Sequence, residues 1–85
     1  MCTGIMSKVA VSGSGKGRED WFPIDHVYTA YDHPTHAPFE HALTLDFVNE
    51  ARGPGARVAV ELSRNAARDL AERILSTLEE GARHD

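Results

Sequence analysis

The sequence predicts an α+β fold, in which a small antiparallel four-stranded sheet carries one C-terminal helix packed on one face, in the order ββββα. Two patterns lead to this prediction. Four segments alternate apolar and polar residues with the period of two that a half-buried strand shows, and turn residues separate them. After Ser63, apolar residues recur instead at helical spacing. A sheet with one face under a helix buries the apolar side of every element, so we expect one domain over residues 1–85.

The first half of the chain holds two of the predicted strands. Lys8–Val11 contains β-branched residues and is expected to form the first strand. Ser12–Gly17 follows it, and its glycine and serine residues indicate a turn-rich loop. His26–Tyr31 alternates as the second strand, with Val27 and Tyr28 on opposite faces.

The second half of the chain holds the clearest strand signals. Ala42–Asn49 alternates without interruption, so that Leu45 points to one side and Asp46 to the other. The turn Arg52–Gly55 separates it from a fourth strand, Arg57–Leu62, whose valines point inward. One helix cannot cover four strands completely, so the open part of the sheet is expected to line a pocket or to meet a second subunit.

The helix is predicted from its cap and its apolar stripe. Ser63 is a typical N-cap residue and Gly81 a natural stop. Between them the apolar residues follow the spacing i, i+3, i+4, i+7, i+8 and i+11, and charged residues fill the opposite face. The stripe consists of Ala67, Leu70, Ala71, Ile74, Leu75 and Leu78.

Composition argues against several classes of function. The net charge is −4 and no basic stripe is interleaved with aromatic residues, so nucleic acid is not expected as a partner. No apolar run approaches the roughly 20 residues that span a bilayer, and the first residues lack the apolar stretch of a signal peptide. We therefore expect no membrane partner and a cytoplasmic, bacterial protein. A chain this short buries only about 60–65% of its unfolded surface, which favours a homodimer.

The segment 33–41 carries the main functional signal. It holds three of the five histidines, a carboxylate lies within it, and another directly precedes it. Imidazole and carboxylate together suit a divalent transition metal, with zinc as the default, and two prolines stiffen the segment. The spacing matches no standard zinc module, so the alternative is that these histidines only hydrogen-bond the loop. The predicted ligands are His33, His36, His41 and Asp32, with Glu40, His26 or Asp46 as a further ligand or as a residue that hydrogen-bonds a ligand.

A metal with an open coordination position would make this protein a compact metal-dependent enzyme acting on a small organic substrate, of the cyclase, lyase or isomerase type. Glu40 and Asp46 are the candidate catalytic residues, as general bases. Asp46 lies roughly 17 Å along the strand from His41, so we expect it to contact substrate rather than the ion. The alternative function is a non-catalytic metal- or ligand-binding module, or an accessory subunit.

Two further features have open roles. Cys2, the single cysteine, permits no internal disulfide and is a metal ligand, an N-terminal nucleophile or a buried thiol. The run Gly13–Gly17 is similar to a phosphate-binding loop. However, Ala10 stands where the first glycine of a P-loop is needed, and Gly17 stands where a hydroxyl would hold magnesium. A nucleotide site is therefore not predicted, and the run is interpreted as a strand connection or a mobile lid.

Several short motifs give the chain a resemblance that covers nearly its whole length. It resembles a family of small, mostly actinobacterial proteins classed as a domain of unknown function. The resemblance implies no particular activity, but it implies that the histidine loop, Cys2 and the glycine run belong together. The matching stretches are Met1–Thr3 with Ile5, Ser12–Gly17, Trp21–Phe22, Tyr31–Pro34, His36–Pro38, Glu40–Leu43, Asp46–Phe47 and Arg57–Leu62.

Overall fold

The computed structural model describes residues 3–85 and contains four strands, a short 3-10 helix and one long helix. The strands form one antiparallel sheet in the order β1-β2-β3-β4, so each strand pairs with its neighbour in sequence. This arrangement confirms the predicted ββββα fold. The elements are β1 (Ile5–Lys16), β2 (Trp21–Asp32), β3 (Ala42–Val48), the 3-10 helix (Glu50–Arg52), β4 (Arg57–Leu62) and α1 (Arg64–Ala82).

The first hairpin is longer than the sequence patterns indicate. β1 continues through Lys16, so the interpretation of Ser12–Gly17 as a loop is wrong. One of these glycines, Gly15, allows β1 and β2 to approach closely. A Cβ built on Gly15 would lie 2.8 Å from Cδ1 of Ile24 on the paired strand, whereas one on Gly13 would meet open space. The tight turn instead comes at residues 17–20, where the amide of Gly17 donates to the carbonyl of Asp20.

The sheet has two faces of different chemistry. Directly paired residues share a face, so the register assigns each side chain. We call the two sides the apolar face and the polar face. The apolar face carries Ile5, Val9, Val27, Tyr31, Leu43, Leu45, Phe47, Val58, Val60 and Leu62. The polar face carries Lys8, His26, Tyr28, Thr44, Asp46, Arg57 and Glu61.

The helix α1 lies on the apolar side and makes only a loose contact with the sheet. The hydroxyl of Ser63 accepts a hydrogen bond from the amide of Ala66, which confirms the predicted cap. An apolar groove of about 620 Å³ separates the helix from the strands, with Leu43 and Leu45 on one wall and Ile74 on the other. Leu75 and Leu78, beyond the groove, are 63% and 64% exposed. The apolar stripe of the helix is therefore only partly used within one chain.

The core of the single chain is small. Its buried apolar residues are Phe22, Val27, Ala42 and Ala56, and no large side chain of the described residues is completely buried. The helix that the structure describes is not long and apolar enough to cross a membrane.

Candidate functional site

A β-bulge in the first hairpin shapes the polar face at one end of the sheet. Ala10 pairs with His26, but the next pair joins Gly13 to Ile24. Two residues of β1 therefore oppose the single residue Asp25, which is the definition of a bulge. A bulge bends and twists its strands, and we attribute to it the position of the Asp25 carboxylate beside the His26 ring.

Asn49 positions a third polar residue, Glu50, beside Asp25 and His26. It is buried and caps the 3-10 helix, its side-chain oxygen accepting from the amide of Ala51. Its side-chain nitrogen donates to the carbonyl of Pro23 at 2.8 Å, which ties the end of β3 to β2. The first residue of the 3-10 helix, Glu50, is thereby held against Asp25, whose carboxylate accepts from the amide of Glu50 at 3.3 Å.

The result is a compact group of three potential metal ligands. We call Asp25, His26 and Glu50 the bulge cluster. Nδ1 of His26 lies 3.0 Å from a carboxylate oxygen of Asp25 and 3.2 Å from one of Glu50. Each side chain offers one ligand atom, and these atoms all lie within 4.8 Å of one another. Among the described residues this is the group of His, Cys, Asp or Glu whose spacing fits a metal ion.

Two neighbours on the polar face keep Glu50 ionised. The hydroxyl of Tyr28 donates to Glu50, and Nζ of Lys8 lies 3.0 Å from the other carboxylate oxygen. These two hydrogen bonds, the one from Tyr28 first, lower the pKa of Glu50. The same carboxylate, and next Tyr28, raise the pKa of Lys8, whose ammonium also lies 5.5 Å from the centre of the Tyr28 ring. At neutral pH the Glu50 carboxylate is therefore an anion, and Lys8 is a cation and not a base.

The histidine loop is held to the polar face by one carboxylate. Glu61 on β4 accepts hydrogen bonds from three consecutive backbone amides, those of Thr35, His36 and Ala37, at 2.5, 3.0 and 2.8 Å. These bonds, led by the one from Ala37, lower the pKa of Glu61. The loop conformation is thus fixed by hydrogen bonds from its backbone amides to Glu61. The side chain of His36 lines a groove that also includes Arg57 and Glu61.

The other two loop histidines lie together on the opposite side. The rings of His33 and His41 stack with their centres 4.7 Å apart, and His41 also stacks on Tyr31 at 5.6 Å. Nδ1 of His33 is 2.7 Å from the carbonyl oxygen of Glu40, which closes the loop. Since Tyr31 belongs to the apolar face, His41 lies on the same side of the sheet as Leu43.

The structure thus brings together only part of the predicted ligand set. His33 and His41 are paired, while His36 lies in the groove beside Glu61. Asp32 accepts from the amide of His33 at 2.7 Å and so turns the chain into the loop. Metal binding by the four predicted ligands stays a prediction. The interpretation of Cys2 falls outside the described residues.

The two candidate catalytic carboxylates have different settings. Asp46 projects from the polar face, as its strand position predicts, and one of its oxygens lies 3.0 Å and 2.7 Å from Nε and Nη2 of Arg57. Glu40 is exposed in the loop. Neither belongs to the bulge cluster.

The sequence patterns miss Asp25 and Glu50 and give His26 only as an additional ligand. Neighbours in a regular strand point to opposite faces, so Asp25 and His26 do not look like partners. One feature of the sequence could have indicated that Glu50 lies near His26. The hairpin β2–β3 is symmetric about the middle of its loop, and this symmetry pairs His26 with Val48. Glu50 then follows within reach of the first residues of β2.

The fold and its bulge define a small α+β domain with a polar cluster at one sheet end and an apolar helix groove on the other face. A family of unknown function (DUF6295) matches residues 1–85, and the chain belongs to this family. Comparisons with curated proteins and with solved structures find no match.

Proposed function

We propose that this protein binds one divalent transition metal, zinc by default, at the bulge cluster and uses it to act on a small organic molecule. The observation that carries the proposal is the spacing of the three donors, 3.0 and 3.2 Å about Nδ1 of His26. A tetrahedral ion with bonds of about 2.1 Å holds its ligands roughly 3.4 Å apart. Only small side-chain movements are therefore needed to admit an ion.

The donor set also fits the chemistry of such an ion. One imidazole nitrogen and two carboxylate oxygens are ligands that zinc accepts, and three protein ligands leave a position open for water or substrate. Glu50, whose pKa is lowered, supplies a charged ligand without first losing a proton. The cation Lys8 now neutralises that charge, so an incoming ion has to displace its ammonium.

The polar face beside the cluster offers room for an organic ligand. A shallow pocket of about 320 Å³ lies next to Glu50 and is lined by Tyr28 and Arg57 among others. Asp46 holds the guanidinium of Arg57 at this pocket, so we assign Asp46 a role in orienting substrate. The reaction class remains the polarisation of a carbonyl or the activation of water by the ion.

A non-catalytic metal-binding module is the second candidate, and one observation favours it. The side chains of the cluster are 28%, 39% and 42% exposed, so water reaches the ligands from outside. Enzymatic metal sites gain strength from excluding water. Turnover of an organic substrate would therefore distinguish the enzyme from the non-catalytic module, whereas metal binding is expected of both.

Zinc titration by calorimetry, with elemental analysis of untagged protein, tests the proposal. We expect about one zinc per chain, lost in His26→Ala and Glu50→Gln and retained in His84→Ala, a histidine near the exposed end of the chain. Lys8→Met should tighten binding, because it removes the cation that competes for Glu50.

The same titration separates the cluster from the histidine loop. If zinc is lost in His33→Ala and His41→Ala and kept in His26→Ala, the ion binds at the loop and the bulge cluster is an ion-pair network. If wild-type protein takes up no ion, metal binding itself is refuted. Circular dichroism of each variant checks that the fold is intact.

A further inference from the structure

The surface of the single chain is larger than its length explains. The accessible area is 6620 Å², and the Cα radius of gyration is 14.3 Å. A compact chain of 9.3 kDa has an area of about 5,000 Å² and a radius of gyration of about 12 Å. The excess is therefore roughly 1,600 Å² per chain. Two chains that removed it would bury an area in the range of obligate homodimers, about 2,000–5,000 Å².

Most of the exposed large apolar side chains lie on α1 and on the first strand. On the helix, Leu70, Ile74, Leu75 and Leu78 are 44–64% exposed. Leu70 and Ile74 line the groove of about 620 Å³ between helix and sheet, and Leu75 and Leu78 lie beyond it. An amphipathic helix derives most of its stability from packing of its apolar face, so this stripe requires a partner.

We infer that α1 packs antiparallel against α1 of a second copy of this chain, and that each helix fills the groove of the other. The inference is independent of the proposed metal binding, because the helix and the groove lie on the apolar side and the bulge cluster adjoins the polar face. The partner's Leu75 and Leu78 would enter the groove between Leu43 and Ile74. A dimer was expected from the sequence; the structure points to the helix as its interface.

The charges beside the stripe match a second copy in antiparallel orientation. Arg68 and Glu79 are eleven residues apart, about three helical turns, so both lie on the same flank of the stripe. Two antiparallel helices related by a two-fold axis bring the same flanks together. If they cross between residues 73 and 74, Arg68 of one chain lies level with the partner's Glu79, and Leu70 lies within one residue of the level of the partner's Leu78. A parallel pair would not bring Arg68 and Glu79 together.

The charges run against the dipole of the helix itself. The first turn contains Arg64 and no acidic residue, and the last turn contains no basic residue. Anions are favoured at a helix N-terminus and cations at the C-terminus, so this distribution is unfavourable for an isolated helix. In an antiparallel pair the basic end of each helix lies beside the acidic end of the other, Glu79 and Glu80. The partner's acidic residues then lie near the N-terminus of each helix, where the helix dipole favours anions.

Sedimentation equilibrium over a concentration series tests the interface. We expect twice the chain mass of 9.3 kDa at micromolar concentration. Arg68→Glu and Glu79→Lys should each raise the dissociation constant by about tenfold, and the double variant should restore it to within about threefold. The matched control is Glu80→Lys, which changes the neighbouring residue about 100° around the helix, away from the stripe, and should leave the constant unchanged.

Cross-linking gives a second readout that does not depend on charge. In a Cys2→Ser background, Ile74→Cys should form a disulfide-linked dimer on oxidation, because it places a thiol at the crossing point. Ser76→Cys, on the opposite face of α1, should not. A monomeric mass overturns the inference. A dimer insensitive to all helix substitutions, equal effects of Glu79→Lys and Glu80→Lys, or cross-linking from position 76 overturns it as well.

Discussion

On the polar face, the acidic groups Glu50, Asp46 and Glu61 each have charged or amide partners in the same chain, whereas on the apolar side the stripe of α1 remains open to solvent. The first region is complete in one chain and the second is not. The charged groups of the polar face are satisfied by partners from the same chain. The large apolar side chains of the helix have no such cover, and the proposed dimer rests on this difference.

The largest effect should come from the small core that one chain does complete. Phe22 is buried, with only 7% of its surface exposed, and Phe22→Ala should lower the free energy of unfolding by about 3–5 kcal/mol. The comparison is Leu75→Ala on the open stripe, which should cost less than about 0.5 kcal/mol in dilute protein. At higher concentration the cost of Leu75→Ala should rise, because dimer formation stabilises the native chain by mass action. Urea unfolding at two protein concentrations measures both, and equal, concentration-independent losses would contradict the comparison.

A smaller effect should follow from filling the close contact within the first hairpin. Gly15→Ala places a Cβ 2.8 Å from the end of the Ile24 side chain, which can move, so we expect a loss of about 1–2 kcal/mol. Gly13→Ala is the matched control, because its Cβ meets open space two residues earlier in the same strand. It should be neutral or slightly stabilising. Thermal unfolding of the pair checks this, and the reverse ranking would refute the close approach.

The next effect links stability to the site. Asn49→Ala removes the cap of the 3-10 helix and its bond to Pro23, and should cost about 1–2 kcal/mol. It should also weaken zinc binding, because Glu50 is no longer held beside Asp25. Asn65→Ala on the exposed helix is the control for both measurements. If zinc affinity is unchanged while stability falls, Asn49 does not position the ligand set.

The smallest effect is local and depends on pH. The pKa of Glu61 is lowered below 4.5, so its contribution is complete above pH 4.5 and is lost as the pH falls through the lowered value. Hydrogen exchange at the amides of Thr35, His36 and Ala37, corrected for the intrinsic rate, should then accelerate. Glu61→Gln should show the same faster exchange at neutral pH, whereas Glu40→Gln should not. Unchanged protection in Glu61→Gln would show that the loop is held by other contacts.

The sequence predicted the regular parts of the fold from periodicity. β4 has the predicted bounds, β3 ends one residue early, and Ser63 caps the helix as expected. The first hairpin was shortened because glycine marks both turns and close strand approaches. Only the approach of the Ile24 side chain to Gly15 distinguishes these two uses, and that contact depends on how the strands pair.

The candidate site was harder to predict for a physical reason. Spacing along the chain brought the loop histidines to attention, but Glu61, 25 residues after His36, fixes the loop backbone with His36 beside the polar face. Asp25 and Glu50 meet only because of a bulge and a capped turn, neither of which has a periodic signature. The sequence shows which side chains could bind a metal, but not the strand register that brings Asp25, His26 and Glu50 together.

The bulge makes the bulge cluster sensitive to the number of residues in β1. Without Ser12, Val11 would stand opposite Asp25 in an unbroken ladder, and Gly13 would still face Ile24. In a regular strand the Asp25 carboxylate would then turn to the face opposite His26. A one-residue deletion in this edge strand would therefore keep the sheet and separate Asp25 from His26, although all three residues of the bulge cluster remain in the chain. Strand length, as much as residue identity, would therefore decide which members of the family keep these three side chains together.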